Sequence, residues 1–327
     1  MEKRSISNSF LAELKGGKFK EIVRIVSVDP NLDLELRGDS VMVYYRGGKV
    51  LTISDPELYP DLRDLDYLTG MDSNYSNEGK CPQAIPTPCI NDMLSYFAKA
   101  KHVVDNYEKH VKEKLGEKEI QQRVISENNS MVNANETDFF FADMEWAENS
   151  VLKGRADLIA FHWGHMQHKK KNLTMYLIEV KQGCNAVRTK SQKETDDLTP
   201  GLCKHLQDFN KLKGNEELIE ELKTDMLNVL CQKYCLGLIT GLENLFVKTS
   251  DGFTTEGITI QKDVKFVFLL ANYLYYSDNL KNEFEELPKD SLFYVSSFLG
   301  YGLYEKFIFT KEELMEKFPF VFTRKKN

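Results

Sequence analysis

The sequence predicts an α/β chain with an antiparallel β-rich N-terminal region, and three observations predict it. Apolar runs touching glycine at 154–161 and 176–183 have the length and make-up of strands. Residues 21–53 break into short apolar or alternating runs separated by turn residues, the pattern of a meander. Segments over 91–115, 117–127, 201–209 and 216–233 instead space their apolar residues by three and four, the period of helices.

At 327 residues the chain is long enough for about two domains. The division expected is a β-rich region with a proline-rich connector over 1–90, and a larger domain with a C-terminal helical extension over 91–327. Hydrophobic residues at 42% and charged residues at 28% are ordinary for a globular protein. Six cysteines, at 81, 89, 184, 203, 231 and 235, form no Cys-x-x-Cys pair, which argues against a zinc ribbon or a disulfide framework and for a reducing compartment. The first residues carry no signal-type apolar stretch, and no run reaches the apolar length of a membrane span, so the expected location is cytoplasmic. Net charge is −7, yet residues 153–213 hold twelve Lys or Arg against six Asp or Glu. That local +6 leaves −13 on the remainder and suits local phosphate contact.

In order along the chain, residues 5–15 read as a short helix ended by Gly16-Gly17. Ile22–Val28, Leu32–Leu36, Val41–Tyr45 and Val50–Ile53 read as strands. The loop edge Tyr44–Lys49 is aromatic and basic and could touch nucleic acid, but a soluble hairpin tip is the favoured reading. Residues 55–90 hold five prolines and read as an irregular connector. Asn91 or Asp92 would cap the helix that follows, with Met93, Leu94, Phe97, Ala98 and Val104 on one side. The helix after Gly116 buries Ile120 and Val124; Glu117 and Glu127 face that stripe and Glu119 does not. Asp138–Trp146 reads as a strand, and His162–Asn172 as a solvated hairpin tip whose histidines at spacing three lack the frame of a zinc site. A polar, basic loop fills 184–200. Leu236–Thr240 and Val264–Ala271 read as strands, and the aromatic tail from Ser291 as helix-like. Cys231 and Cys235, four apart on a helix, read as small buried side chains.

The chemistry concentrates on Asp157 and on Glu179-Val180-Lys181. Residues two apart on a strand share a face, so Glu179 and Lys181 project together, and an antiparallel neighbour can bring Asp157 to them. Burying such charges costs several kcal/mol each unless they are paired or bind an ion. Two carboxylates make an oxygen-ligand site for magnesium, and a lysine beside it can orient water or stabilise charge on phosphate. Glu-x-Lys alone is uninformative, since it occurs four times, but only Glu179–Lys181 ends an apolar strand that follows another strand bearing a lone acid. The competing reading is a strand-end salt bridge.

These residues resemble the PD-(D/E)xK nuclease superfamily: Gly154-Arg155-Ala156-Asp157, then Glu179-Val180-Lys181, within a likeness that spans 112–272. The resemblance implies a restriction-endonuclease-like mixed sheet flanked by helices, and a magnesium-dependent endonuclease acting on DNA, with manganese as a substitute. In that reading Asp157, Glu179 and Lys181 are catalytic. Asp157, Glu179 and the Val180 carbonyl ligate the metal, with Glu117 as a further candidate. Arg155, Gln182, Lys190 and His205 contact nucleic acid. His205 and Phe209 stand where members of the family carry a glutamine and a tyrosine on the helix after the core strands. The resemblance further implies a role in restriction, phage defence or repair, and is compatible with a homodimer. The alternatives are a non-catalytic nucleic-acid- or partner-binding protein of the same fold, and an RNA-directed nuclease.

Overall fold

The computed structural model describes residues 3–54, 57–60, 92–111, 116–129, 137–147, 155–164, 171–182, 187, 201–250, 252–271, 278–296 and 300–319. Contacts divide the chain into one unit of residues 2–132 with 227–255 and another of 133–226 with 256–327. Residues 91–132 thus fall with the N-terminal unit, in contrast to a division at 90.

In the N-terminal unit, α1 (Asn8–Lys15) starts at Ser7, whose Oγ accepts the Phe10 N–H at 3.2 Å. The expected strand at Ile22–Val28 is instead a helix, α2 (Lys20–Val28). Ile22, Val23, Ile25 and Val26 are all buried, and their three- and four-residue spacing makes one helix face, while Glu21 pairs with Arg24 at 2.8 Å outside. Burial of that face overrides the strand preference of β-branched residues. Strands β1 (Leu32–Leu36), β2 (Ser40–Tyr45), β3 (Gly48–Ser54) and β4 (Glu57–Pro60) form an antiparallel meander in that order. The fourth strand lies inside the stretch read as irregular; the rest of that stretch, 55–56 and 61–90, is outside the described residues, as is Asn91.

Arg46 (φ 49) and Gly47 (φ 75) form the two-residue turn joining β2 to β3. Positive φ at both positions matches the twist of the paired strands. It costs a non-glycine residue on the order of 1 kcal/mol, and the Arg46 guanidinium is anchored on Asp105 at 2.8 Å and Glu119 at 3.1 Å. Helix α3 (Met93–Val111) buries Met93, Phe97 and Ala100. Leu94, 66% exposed, and Ala98 therefore sit off the stripe expected to hold them. Helix α4 (Glu117–Asn129) buries Ile120 and Val124 as expected. It also buries Glu119, expected off that stripe, because Arg46 and Arg123 neutralise it.

The second unit is built on β5 (Phe139–Ala147), β6 (Arg155–His162) and β7 (Asn172–Gln182), an antiparallel set. His162 and Trp163 are buried, so the start of the expected solvated tip is core; His165 and His168 lie outside the described residues. Helix α5 (Leu202–Lys213) follows, its Cys203 N–H satisfied by Glu283 Oε2 at 3.1 Å and its last turn carrying Lys211 and Lys213. Helix α6 (Glu216–Cys235) begins in this unit and ends in the other.

Back in the N-terminal unit, no strand forms at Leu236–Thr240. The N–H groups of Leu236, Gly237 and Leu238 turn back to the carbonyls of Gln232, Tyr234 and Lys233, and Gly237 takes φ +74. That stretch is the C-terminal cap of α6, which leaves those donors nothing to give a ladder. Cys231 is buried, with burial pushing its thiol up to about 12, whereas Cys235 is only half-buried. A hairpin of β8 (Val247–Lys248) and β9 (Phe253–Thr254) closes this part.

The second unit resumes with β10 (Thr259–Ile260), β11 (Lys265–Ala271), helix α7 (Asp278–Glu286), β12 (Leu292–Ser296), β13 (Ile308–Thr310) and α8 (Lys311–Lys317). Its sheet runs β13-β12-β11-β7-β6-β5, with β10 beside β7. The β7–β11 and β11–β12 pairs are parallel and the others on this path antiparallel, so the sheet is mixed. The tail expected to be helix-like supplies two strands: Leu292–Val295 is an apolar, aromatic run that extends the parallel part, and among its described residues helix is confined to a 3-10 turn at Glu305–Phe307 and to α8, with its Thr310–Glu313 capping box. Among the described residues no helix is long and apolar enough to cross a membrane.

Candidate active site

The motif strands occupy the middle of the second unit's sheet, and its register decides which side chains meet. The β6–β7 ladder ends at Leu158↔Ile178, so one further step brings Asp157 opposite Glu179. Beyond that pair β6 stays with β5, through Ala156↔Trp146 and Arg155↔Ala147, and leaves β7. A register shift between Phe141 and Asp143, with Glu145 at φ 54, bends β5 beside this fork. Asp157 fills the fork: its Oδ2 accepts the Val180 N–H at 2.8 Å, where a ladder partner would otherwise sit. The N–H and carbonyl of a strand residue point to the same side, so the Val180 carbonyl is directed into the same fork.

On one face of β7, Lys181 Nζ donates to Glu179 Oε1 at 2.6 Å, and both side chains are buried. The same Oε1 lies 3.0 Å from His205 Nε2 on α5, a close contact without hydrogen-bond alignment. Burial resists ionisation of Glu179, but His205 and Lys181 outweigh it and hold the carboxyl below its ordinary value. Phe209, one turn beyond His205, stacks on Phe266 of β11 at 4.7 Å, fixing the helix over the sheet. Arg155 is exposed and reaches Glu145 at 3.3 Å. Between Arg155, Glu179, His205, Asp208 and Phe209 lies a pocket of about 30 Å³, room for one water or one ion.

No family model, curated protein or solved structure matches this chain.

The structure thus gathers Asp157, Glu179, Lys181 and His205, with Arg155 at the pocket wall. Gln182 ends β7 beside them. Lys190 and most of the basic 184–200 loop lie outside the described residues, as does Gly154. Glu117 is on α4 of the N-terminal unit. His205, to which the resemblance gives a nucleic-acid contact, lies 3.0 Å from Glu179. Asp208, buried between Lys204 at 2.6 Å and Lys211 at 3.4 Å, stands three residues after His205 and so on the same helix face, the spacing by which the sequence could have disclosed it.

Among the described residues no three His, Cys, Asp or Glu side chains are grouped to hold a metal by themselves. The donor set is two carboxylates and a directed main-chain carbonyl, which fits magnesium, an ion that keeps several of its waters and takes few protein ligands. Lys181 and His205 both lie against Glu179 Oε1, so Oε2 is the oxygen through which Glu179 would enter such a set.

Proposed function

We propose that the chain is a metal-dependent endonuclease that hydrolyses phosphodiester bonds in DNA, with a PD-(D/E)xK site on a restriction-endonuclease-like fold. One observation carries the reading: the acid of one strand and the acid–lysine pair of the next meet where the two strands part. The mixed sheet with a helix laid over its motif face supports it as well.

In this reading Asp157, Glu179 and the Val180 carbonyl hold magnesium or manganese, which would lower the pKa of a bound water and neutralise phosphate charge. Asp157 is oriented by the Val180 N–H. Lys181, released from Glu179, turns its ammonium to the attacking water or to the charge developing on phosphorus. His205 keeps Glu179 ionised before the site is loaded. Arg155 contacts the substrate backbone.

The test is cleavage of supercoiled, linear and single-stranded DNA, and of RNA, with magnesium, manganese or EDTA. Cleavage that needs the metal and is lost in Asp157→Ala and Lys181→Ala supports the reading. Equal cleavage by both folded variants removes it.

A second reading, a binder without turnover, is favoured by one observation: Glu179 is already held by two partners beside a pocket of only about 30 Å³. Binding of nucleic acid with no cleavage under every metal condition would establish it.

A further inference from the structure

In the second unit the segment 301–307, between β12 and β13, crosses the ends of the central strands, and one carboxylate on it meets several of them. The Glu305 N–H donates to Asp138 Oδ2, just before β5, at 2.9 Å. Its Oε2 lies 3.2 Å from His162 Nε2 at the end of β6. Its Oε1 accepts the Tyr176 hydroxyl of β7 at 3.5 Å and lies 3.6 Å from Lys265 Nζ at the start of β11. The neighbouring backbone is tied down as well. The Gly302 carbonyl accepts the Tyr294 hydroxyl of β12 at 2.9 Å, and the Leu303 carbonyl accepts the Asp138 N–H at 3.0 Å. Tyr301 and Leu303 are buried beneath the segment, while Glu305, Lys306 and Phe307 are exposed on it.

One of these fastenings depends on a group that titrates near neutral pH. The His162 side chain is only 6% exposed, and its ring packs 5.2 Å from that of Phe139 and 6.1 Å from that of Tyr176. Its Nε2 touches Glu305 without hydrogen-bond alignment. Three charged groups face the ring: Glu305 from the segment above it, Asp138 from the residues before β5, and Lys265 from β11. The Tyr176 hydroxyl stays neutral, because burial raises its pKa above the ordinary 10. Burial is the largest influence on the imidazole and holds it below its ordinary 6.5; Glu305 and Asp138 pull upward, and Lys265 adds to the lowering. Glu305 is 48% exposed, so solvent screens its pull, whereas desolvation acts on nearly the whole ring.

We propose that residues 301–307 form a proton-operated strap, closed over the strand ends while His162 is neutral and lifted in mildly acidic solution as that ring takes up one proton. Lifting draws Glu305 away from Nε2 and opens the polar edge of the ring to water, where imidazole regains its ordinary basicity. The lifted state therefore binds more protons than the closed one. The advantage of the closed strap is complete above pH 6.5 and is lost as pH falls through the lowered His162 value.

Amide hydrogen exchange of the full chain, expressed as protection relative to the unstructured rate at each pH, tests the proposal. The protection of the Glu305 and Asp138 amides, both fastened in the closed strap, should fall by about threefold or more between pH 7.5 and pH 5.5. The amide of Leu269, inside β11, should keep its protection over the same range. His162→Gln, which cannot take up the proton, should flatten the response of the strap amides. Should that variant fail to fold, titration of the His162 ring by NMR in the parent chain decides instead, with a value below 6.5 expected. Glu305→Gln should lower the protection of the Asp138 amide already at neutral pH. Strap amides equally protected at both pH values would overturn the proposal. So would a loss shared equally by Leu269, a loss that persists in His162→Gln, or a His162 ring that titrates at 6.5 or above.

Discussion

Among the described residues are two buried acid–lysine pairs of the same length, Glu179–Lys181 in one unit and Glu35–Lys233 in the other, each with oxygen and nitrogen 2.6 Å apart. Their surroundings differ. Glu35 is fully buried on β1, with Arg37 at 3.7 Å from its second oxygen and Asp33 two residues before it on the same face. Glu179 borders a pocket, shares its oxygen with His205 and faces the fork that Asp157 fills. Two acids and a lysine within reach of one another are thus no sign of chemistry by themselves. What separates the two sets is access, and a backbone that opens beside one of them.

Substitutions should sharpen that contrast. The largest effect expected is on cleavage: Asp157→Ala and Lys181→Ala lower magnesium-dependent nicking of plasmid DNA by about a thousandfold or more, as loss of a group acting on transition-state charge does. Lys233→Ala should leave the rate per folded molecule unchanged. Unfolding in urea shows the reverse ranking. Lys233→Ala strands a buried carboxylate and costs about 3–5 kcal/mol, and Glu35→Leu with Lys233→Met recovers most of it.

The two sets also respond oppositely to pH. Burial is the chief reason the Asp33 carboxyl stays above its ordinary value of 3.8, against the pull of Lys233. The folded chain therefore keeps that proton longer than the unfolded one, and stability falls as pH climbs past that value. Glu179 is held below 4.5, so its contribution is present above that pH and is lost on acidification. Urea melts across this range should show Asp33→Asn flattening the loss toward neutral pH and Glu179→Gln flattening the loss in acid. His205→Ala should move the Glu179 carboxyl upward, read by carboxyl NMR, because His205 is the main group lowering it. The smallest effect expected is Phe209→Leu, about 1 kcal/mol in a urea melt for a lost ring stack on Phe266.

The same contrast explains what the sequence disclosed. Strands β6 and β7 are buried between neighbours, so their near-continuous apolar runs with glycine nearby are legible locally, and a charge within such a run is conspicuous. The contact of His205 with Glu179 joins residues on a helix and a strand, and no local spacing encodes it. Ile22–Val28 misleads because side-chain branching favours a strand while the buried spacing favours a helix, and burial decides. Leu236–Thr240 misleads because the N–H groups of Leu236, Gly237 and Leu238 serve the end of the preceding helix. Glu35 and Lys233 are nearly two hundred residues apart, and Leu32–Leu36 reads only as a clean alternation; the partner of its acid comes from the far end of another helix.

Asp157 has a second duty that follows from its 2.8 Å bond to the Val180 N–H. It is the clasp that keeps two diverging strands from fraying, as well as an anion. Alanine removes both functions at once and would mix a folding defect with a chemical one. Asparagine retains an oxygen for the amide while discarding the charge, so the melting temperature of Asp157→Asn should stay nearer to that of the parent chain than Asp157→Ala does, with turnover equally absent.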